Sequence, residues 1–261
     1  MRKKMVLKAI VTLLFIALTI VMFGYASDAN NRPITIVWYP NESAGDYANS
    51  RNEFGRLVEQ ATGRKVEHRL TTDYVIAIEA LASGTAGIGA VMGAVGYIEA
   101  SNRNPNVGVL FVNSGVSGTL DDAVYYSWLC VNKGQEDNYK DGGNYSILNI
   151  QGKKMSFVSN SSTSGFRVPT SGIISYFGKT PKWSKIDEDD MVEGGSNRFF
   201  GEVLFGGSHQ GSAFNLLSGR ADIAAVCDTE MNPYNAIVGA ACSSPLKNNI
   251  HLVALPWQLD I

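Results

Sequence analysis

The chain has 261 residues, with 22 basic and 24 acidic side chains, three histidines and 45% hydrophobic residues. That length and apolar share suffice for a sizeable core, as one large domain or two lobes, while the near balance of charge excludes a basic stripe for nucleic acid. Three irregularly spaced cysteines, Cys130, Cys227 and Cys242, exclude a zinc framework or a disulfide scaffold; a bond between Cys227 and Cys242 and three small buried apolar residues both stay open.

Residues 1–26 stand apart. Arg2, Lys3, Lys4 and Lys8 supply a positive start, and an apolar stretch over 9–23 leads to Gly24-Tyr25-Ala26 and Ser27-Asp28-Ala29, small residues at the spacing a signal peptidase reads. An export signal with cleavage before Ser27 or Asn30 is expected. The competing reading is a retained N-terminal anchor, for which the stretch falls short of the ~20 residues of a spanning helix. Cleavage takes four of the 22 basic side chains and none of the 24 acidic ones. The mature chain is then mildly acidic, so anion specificity has to come from a local site.

Beyond the signal, strands are expected over 34–39, 65–70, 87–92 and 106–112, alternating with helices over 47–62, 73–82 and 95–101. A small polar segment over 114–119 and a β-rich run over 123–132 read as a crossover into a second lobe. After the polar stretch 133–144 the rhythm resumes with a strand over 154–158, a helix over 165–177, a strand over 202–205, a helix over 209–218 and a strand over 222–227. Strand and helix in alternation imply βαβ units, hence mainly parallel sheets flanked by helices in an α/β fold. The segment 179–195, with Asp187-Glu188-Asp189-Asp190, reads as a solvated loop, because the acids lack the spacing of a calcium loop. No metal site is expected.

Chemistry concentrates where strands feed helices. Asn160-Ser161-Ser162-Thr163-Ser164-Gly165 crowds hydroxyls at a helix start, where unsatisfied N–H groups and the positive end of the helix dipole favour an anion. Helix capping explains the same residues. Pro40-Asn41-Glu42-Ser43-Ala44-Gly45 follows the first strand and Thr72-Asp73-Tyr74 the second, at the sheet edge where open α/β folds place ligands; Asp73 suits a cap, and Tyr74 suits either packing or a cleft. The glycines of 87–96 fit neither G-x-G-x-x-G nor a P-loop, so no nucleotide cofactor is expected, but Gly93 and Gly96 suit a helix start that a ligand approaches closely. Gly207-Ser208-His209 again joins strand to helix, with an imidazole able to donate to an anion or merely to cap. Asp228 ends the strand over 222–227 at the same edge. Ser164, His209 and Asp228 also invite a serine hydrolase reading, against which stands the absence of a G-x-S-x-G elbow, so no catalytic residue is assigned.

Several of these motifs agree in order and spacing with one family. Thr72-Asp73-Tyr74 with Ile78-Glu79-Ala80-Leu81, Gly96-Tyr97 with Ala100, Tyr125-Tyr126-Ser127, Ser162-Thr163-Ser164-Gly165 with Pro169, Gly207-Ser208-His209, and the run Gly219-Arg220-Ala221-Asp222 with Ile223 to Val226 together make the chain resemble the phosphate/phosphite/phosphonate substrate-binding proteins of ABC transporters. The resemblance implies a two-lobed, type II periplasmic-binding-protein-like fold that closes about a hinge near 113–122. It further implies a phosphorus oxyanion held by Tyr74, Tyr126, Ser162, Thr163, Ser164, His209 and Asp228, with a membrane permease as partner, a monomeric state and no catalysis. A carboxylate beside an anion accepts hydrogen bonds only, so Asp228 calls for a protonated ligand oxygen or an ammonium group. The expected organisation is 1–26 signal or anchor, 27–122 first lobe, 123–250 second lobe, and 251–261 returning toward the first lobe. Two departures from the family pattern are an apolar segment without a lipobox cysteine and an early C-terminal end. A membrane-tethered oxyanion sensor is the alternative reading.

Overall fold

The structure, a computed structural model, describes residues 32–40, 47–113, 117–121, 123, 125–142, 144–227 and 250–258. Its first sheet has the order β2-β1-β3 and is wholly parallel, from β1 (Ile34–Trp38), β2 (Val66–Leu70) and β3 (Ile88–Ala90). The β-branched and aromatic run Ile-Thr-Ile-Val-Trp makes β1 the central strand, with Ile36 and Val37 fully buried. Helices α1 (Ala48–Thr62), α2 (Tyr74–Ala82) and α3 (Ala94–Arg103) connect or follow these strands. Asp73 caps α2, its carboxylate accepting the Val75 N–H at 2.7 Å.

The second sheet has the order β10-β4-β9-β7-β8, from β4 (Tyr126–Asn132), β7 (Lys154–Phe157), β8 (Glu202–Phe205), β9 (Ile223–Cys227) and β10 (Ile250–Gln258), with β5 (Lys140–Asp141) and β6 (Asn144–Tyr145) forming a separate small hairpin. Strands β7, β8 and β9 are parallel, and β4 runs antiparallel to β9 and β10. Helices α4 (Val168–Phe177), α5 (Asp189–Val192) and α6 (His209–Leu217) complete this half. Its core is aromatic: Phe157, Phe166, Phe177, Phe199 and Phe200 are buried together, with Phe177 and Phe199 edge to face at 4.8 Å and Phe157 and Phe166 at 5.1 Å.

Two expectations are corrected. Residues 106–112 form no strand, and Val109, Leu110, Phe111 and Val112 are all exposed. Their apolarity marks surface whose burial is favourable, but a strand also needs a partner for its backbone groups, and no described strand pairs with them. The helix expected from 165 begins earlier, as a π-turn over Thr163–Arg167 that runs into α4. Residues 250–258 pair antiparallel with β4 at the edge of the second sheet. The 179–195 segment is mainly loop but includes the single turn of α5. Cys130 and Cys227 are buried small residues of the second sheet, and burial pushes the Cys130 thiol up to about 12; Cys242 lies outside the described residues. Residues 1–31 also lie outside them, so the expected signal has no structural counterpart; no helix of the described residues is long and apolar enough to cross a membrane.

The two sheets present their strand ends to each other. Val158, the residue after β7, packs in the first sheet's core with Val37, Tyr39, Tyr74 and Ala77. Two hydrogen bonds cross the same seam: the Val95 N–H donates to the Thr163 hydroxyl at 3.0 Å, and the Ser161 hydroxyl donates to Glu99 at 3.0 Å.

Candidate functional site

The hydroxyl tract owes its shape to a proline. In a continuous α-helix the nitrogen of Pro169 would have to donate to the Gly165 carbonyl, and proline has no N–H to give. The chain widens by one residue instead: Arg167 N–H bonds Ser162 O at 3.0 Å, Val168 N–H bonds Thr163 O, and the released Gly165 carbonyl accepts the Val158 N–H at 3.1 Å. That last bond ties the turn to the end of β7. It demands glycine at 165, since a Cβ there would lie 2.2 Å from Val158 Cγ2.

Within this turn the three hydroxyls divide their roles. Ser162 is the N-cap, accepting the Gly165 N–H at 3.1 Å. Thr163 reaches across the seam to Val95. Ser164 is fixed through its carbonyl, which accepts the Ser127 hydroxyl from β4 at 2.6 Å, and its own hydroxyl makes no hydrogen bond among the described residues. All three are buried. The capping reading holds for Ser162, while the Ser164 hydroxyl takes no part in the cap.

His209 opens α6, whose N-cap Ser208 accepts the Gly211 N–H at 3.0 Å. The loop before it is anchored to the same strand end as the tract, Gly206 N–H donating to Phe157 O and Gly207 N–H to Val158 O. The imidazole Nδ1 accepts the Cys227 N–H at 3.1 Å, which places the ring's proton on Nε2. Burial pushes its pKa down to about 3, so the ring is a neutral donor at any physiological pH. Of the expected residues, Ser162, Thr163, Ser164 and His209 thus share one edge of the second sheet. Tyr126 begins β4 one residue before Ser127, half buried. Tyr74 stands on the first-sheet side, buried, its ring 4.4 Å from that of Tyr39. Asp228 lies outside the described residues.

Facing the tract is the start of α3. Gly93 is its N-cap and offers no side chain, and a Cβ there would lie 2.7 Å from Thr163 Oγ1 and 3.6 Å from the Tyr125 hydroxyl. The approach to it is strained: Val91, between β3 and α3, has φ 57°, the single non-glycine residue with positive φ among the described residues. The sequence marks Gly93 and Gly96 as a helix start open to close approach, but it carries no reading of Tyr39 and Glu99, which the structure places at the seam between the sheets. Tyr39 was discoverable from its place at the carboxyl end of the first strand; Glu99 lies in the middle of a helix and carried no signal.

An arrangement of hydroxyls, a neutral imidazole N–H and helix N-termini at facing sheet ends is one that binds, with dipoles rather than cations, a small oxygen-rich anion. The comparisons with known proteins agree on the class. The family model described as the periplasmic phosphonate substrate-binding protein of ABC transporters matches residues 36–243, and the chain belongs to that family. The phosphate-import protein PhnD of Mycolicibacterium smegmatis is 27% identical over 203 residues, 75% of this chain and 55% of that protein, so the chain spans about half the length of that relative. The fold is that of type II periplasmic binding proteins. A binding protein component of an ABC phosphonate transporter from Pseudomonas aeruginosa superposes with a TM-score of 0.61 at 18% identity, over 87% of this chain and 68% of that one. PhnD1 from Prochlorococcus marinus, solved with methylphosphonate, gives 0.60 at 17% identity, over 87% and 72%.

Proposed function

We propose that this protein is the extracytoplasmic solute-binding component of an ABC importer, taking a phosphonate, phosphite or phosphate anion between its two lobes and delivering it to a membrane permease. The observation that carries the reading is the Ser162-Thr163-Ser164 turn: a family motif, buried at a helix start, in which one hydroxyl caps and another is left to donate. His209, a neutral donor on the same sheet edge, supports it. So does family membership, although what the PhnD relatives carry is known of them alone. Lobes 27–122 and 123–250 would close about the 113–122 connection, with Tyr74 and Tyr126 bringing phenols from either side and Asp228 selecting a protonated oxygen or an ammonium group. No chemistry is assigned to the site: binding without turnover, by a monomer that ignores nucleic acid, is the expected behaviour. Export through the N-terminal signal puts the protein outside the cytoplasm.

Isothermal titration with phosphate, phosphite, methylphosphonate, 2-aminoethylphosphonate and sulfate tests this. Saturable binding of a phosphorus anion with sulfate silent is the expected result; sulfate bound as tightly as the phosphorus anions, or silence from folded protein, refutes it.

A further inference from the structure

One buried donor at the seam is used by nothing in the motif. Tyr39 follows β1 and is 5% exposed, and its hydroxyl has no hydrogen-bond partner among the described residues. A buried hydroxyl without an acceptor costs free energy, so a position that keeps one calls for a reason. Phenylalanine would pack against Tyr74 equally well.

The hydroxyl lies over the first turn of α3. A Cβ on Gly96 would fall 1.7 Å from Tyr39 Oη, so glycine at 96 is what admits the phenol. Three residues earlier, at Gly93, Thr163 Oγ1 and the Tyr125 hydroxyl close in on the same turn. The helix has ten residues and no side-chain cap of its own. The acceptor at its N-terminus comes from the other sheet, as Thr163 Oγ1 on Val95 N–H. Burial and the nearby charge of Glu99 push the Tyr39 pKa up, which keeps the phenol protonated and a donor. Glu99 itself is already engaged by the Ser161 hydroxyl.

We infer that Tyr39 and the first turn of α3 form the first-sheet wall of the anion site, in which an oxygen of the bound phosphorus anion accepts the Tyr39 O–H and the Val95 N–H. Thr163 Oγ1 marks where that oxygen sits. This rests on the oxyanion reading above and adds to it a specificity contact outside the S-T-S-G and G-S-H motifs.

The test is Tyr39→Phe in the full chain, a change of one oxygen. It reads two quantities, the Tm of protein purified without ligand and the affinity for phosphate, phosphite and methylphosphonate. The inference requires changes of opposite sign. Losing an orphaned hydroxyl should raise the Tm by about 2–4 °C, while losing a ligand contact should weaken binding of the best anion by roughly tenfold or more. Affinity within twofold of the wild type, whatever the Tm does, overturns the inference and leaves the oxyanion reading standing. A wild type that binds none of the three anions overturns both.

Discussion

His209 makes the sharpest prediction, because its protonation state is tied to a single backbone hydrogen bond. The ring is buried, its Nδ1 is occupied by the Cys227 N–H, and protonating it would turn that acceptor into a second donor facing the first. Burial pushes the folded-state pKa below its ordinary 6.5 to about 3, in the direction that the occupied Nδ1 also favours. The unfolded chain binds this proton below about pH 6.5 and the folded chain does not until about pH 3. Between those values the unfolded state holds more protons, and stability falls as pH falls. Followed to pH 3 the loss reaches about 4 kcal/mol; by pH 5, before most carboxylates titrate, it is about 2 kcal/mol. For a chain of this size that corresponds to a Tm lower by roughly 4–8 °C at pH 5 than at pH 7.5. His209→Asn, whose amide oxygen can still accept from Cys227, should lack this share of the pH dependence. Urea melts of both proteins at pH 7.5 and 5.0 give the difference directly, and subtraction removes the other histidines. Equal pH slopes in the two proteins, or an imidazole NMR titration of His209 centred near pH 6.5, would refute the neutral-donor assignment. So would anion affinity that drops between pH 6 and 8 in the wild type and not in the variant, since an imidazolium would lose its charge there.

Three further expectations concern the turns that build the site. Gly165→Ala drives a Cβ into Val158 Cγ2 and should cost about 1–3 kcal/mol in chemical denaturation, with a wild-type melt as the contrary outcome. Val91→Gly should do the opposite, relieving a β-branched residue at φ 57° and raising stability by about 1 kcal/mol; a loss of stability would mean that Val91 packing outweighs the strain. Ser162→Ala and Ser164→Ala should separate cap from ligand donor: the first lowers stability by about 1 kcal/mol, whereas the second leaves the melt within about 0.5 kcal/mol of wild type and weakens anion binding roughly tenfold. Paired melting and titration curves for these two variants check it, and equal affinity in Ser164→Ala removes that hydroxyl from the site.

What the sequence carried, it carried locally. The alternation of β-branched runs with helical patterns located β1, β2, β7, β8 and β9 to within about two residues, and the hydroxyl cluster ending at Ser164 was readable as a helix cap because capping is a contact between residues three apart, whereas at 207–209 the cap is Ser208 and not the His209 imidazole. The features that escaped need a second element to exist. The run 106–112 is as apolar as β1, but sheet membership depends on a neighbour that composition does not report. The π-turn is a compromise between Pro169 and Val158, eleven residues apart and on different elements. The tautomer of His209 is fixed by Cys227, eighteen residues on.

The same dependence on a second element governs how the site can work. In this structure the two sheets meet through Val95 to Thr163 and Ser161 to Glu99, with Val158 seated in the first core. Under the hinge closure proposed above, these contacts favour the closed form on their own, and a ligand would shift the balance only by what it adds beyond them. At α3 the comparison is direct. A threonine oxygen accepts one N–H there as a neutral group, whereas an oxyanion in the same place gains from the helix dipole as well, a contribution of about 0.3–1 kcal/mol or more when partly buried. Thr163, once displaced, turns from acceptor to donor without leaving the turn. Under the oxyanion reading one residue thus serves as the clasp before binding and as part of the cradle after it, which is why the tract needs a hydroxyl at 163 and not only the backbone of its turn.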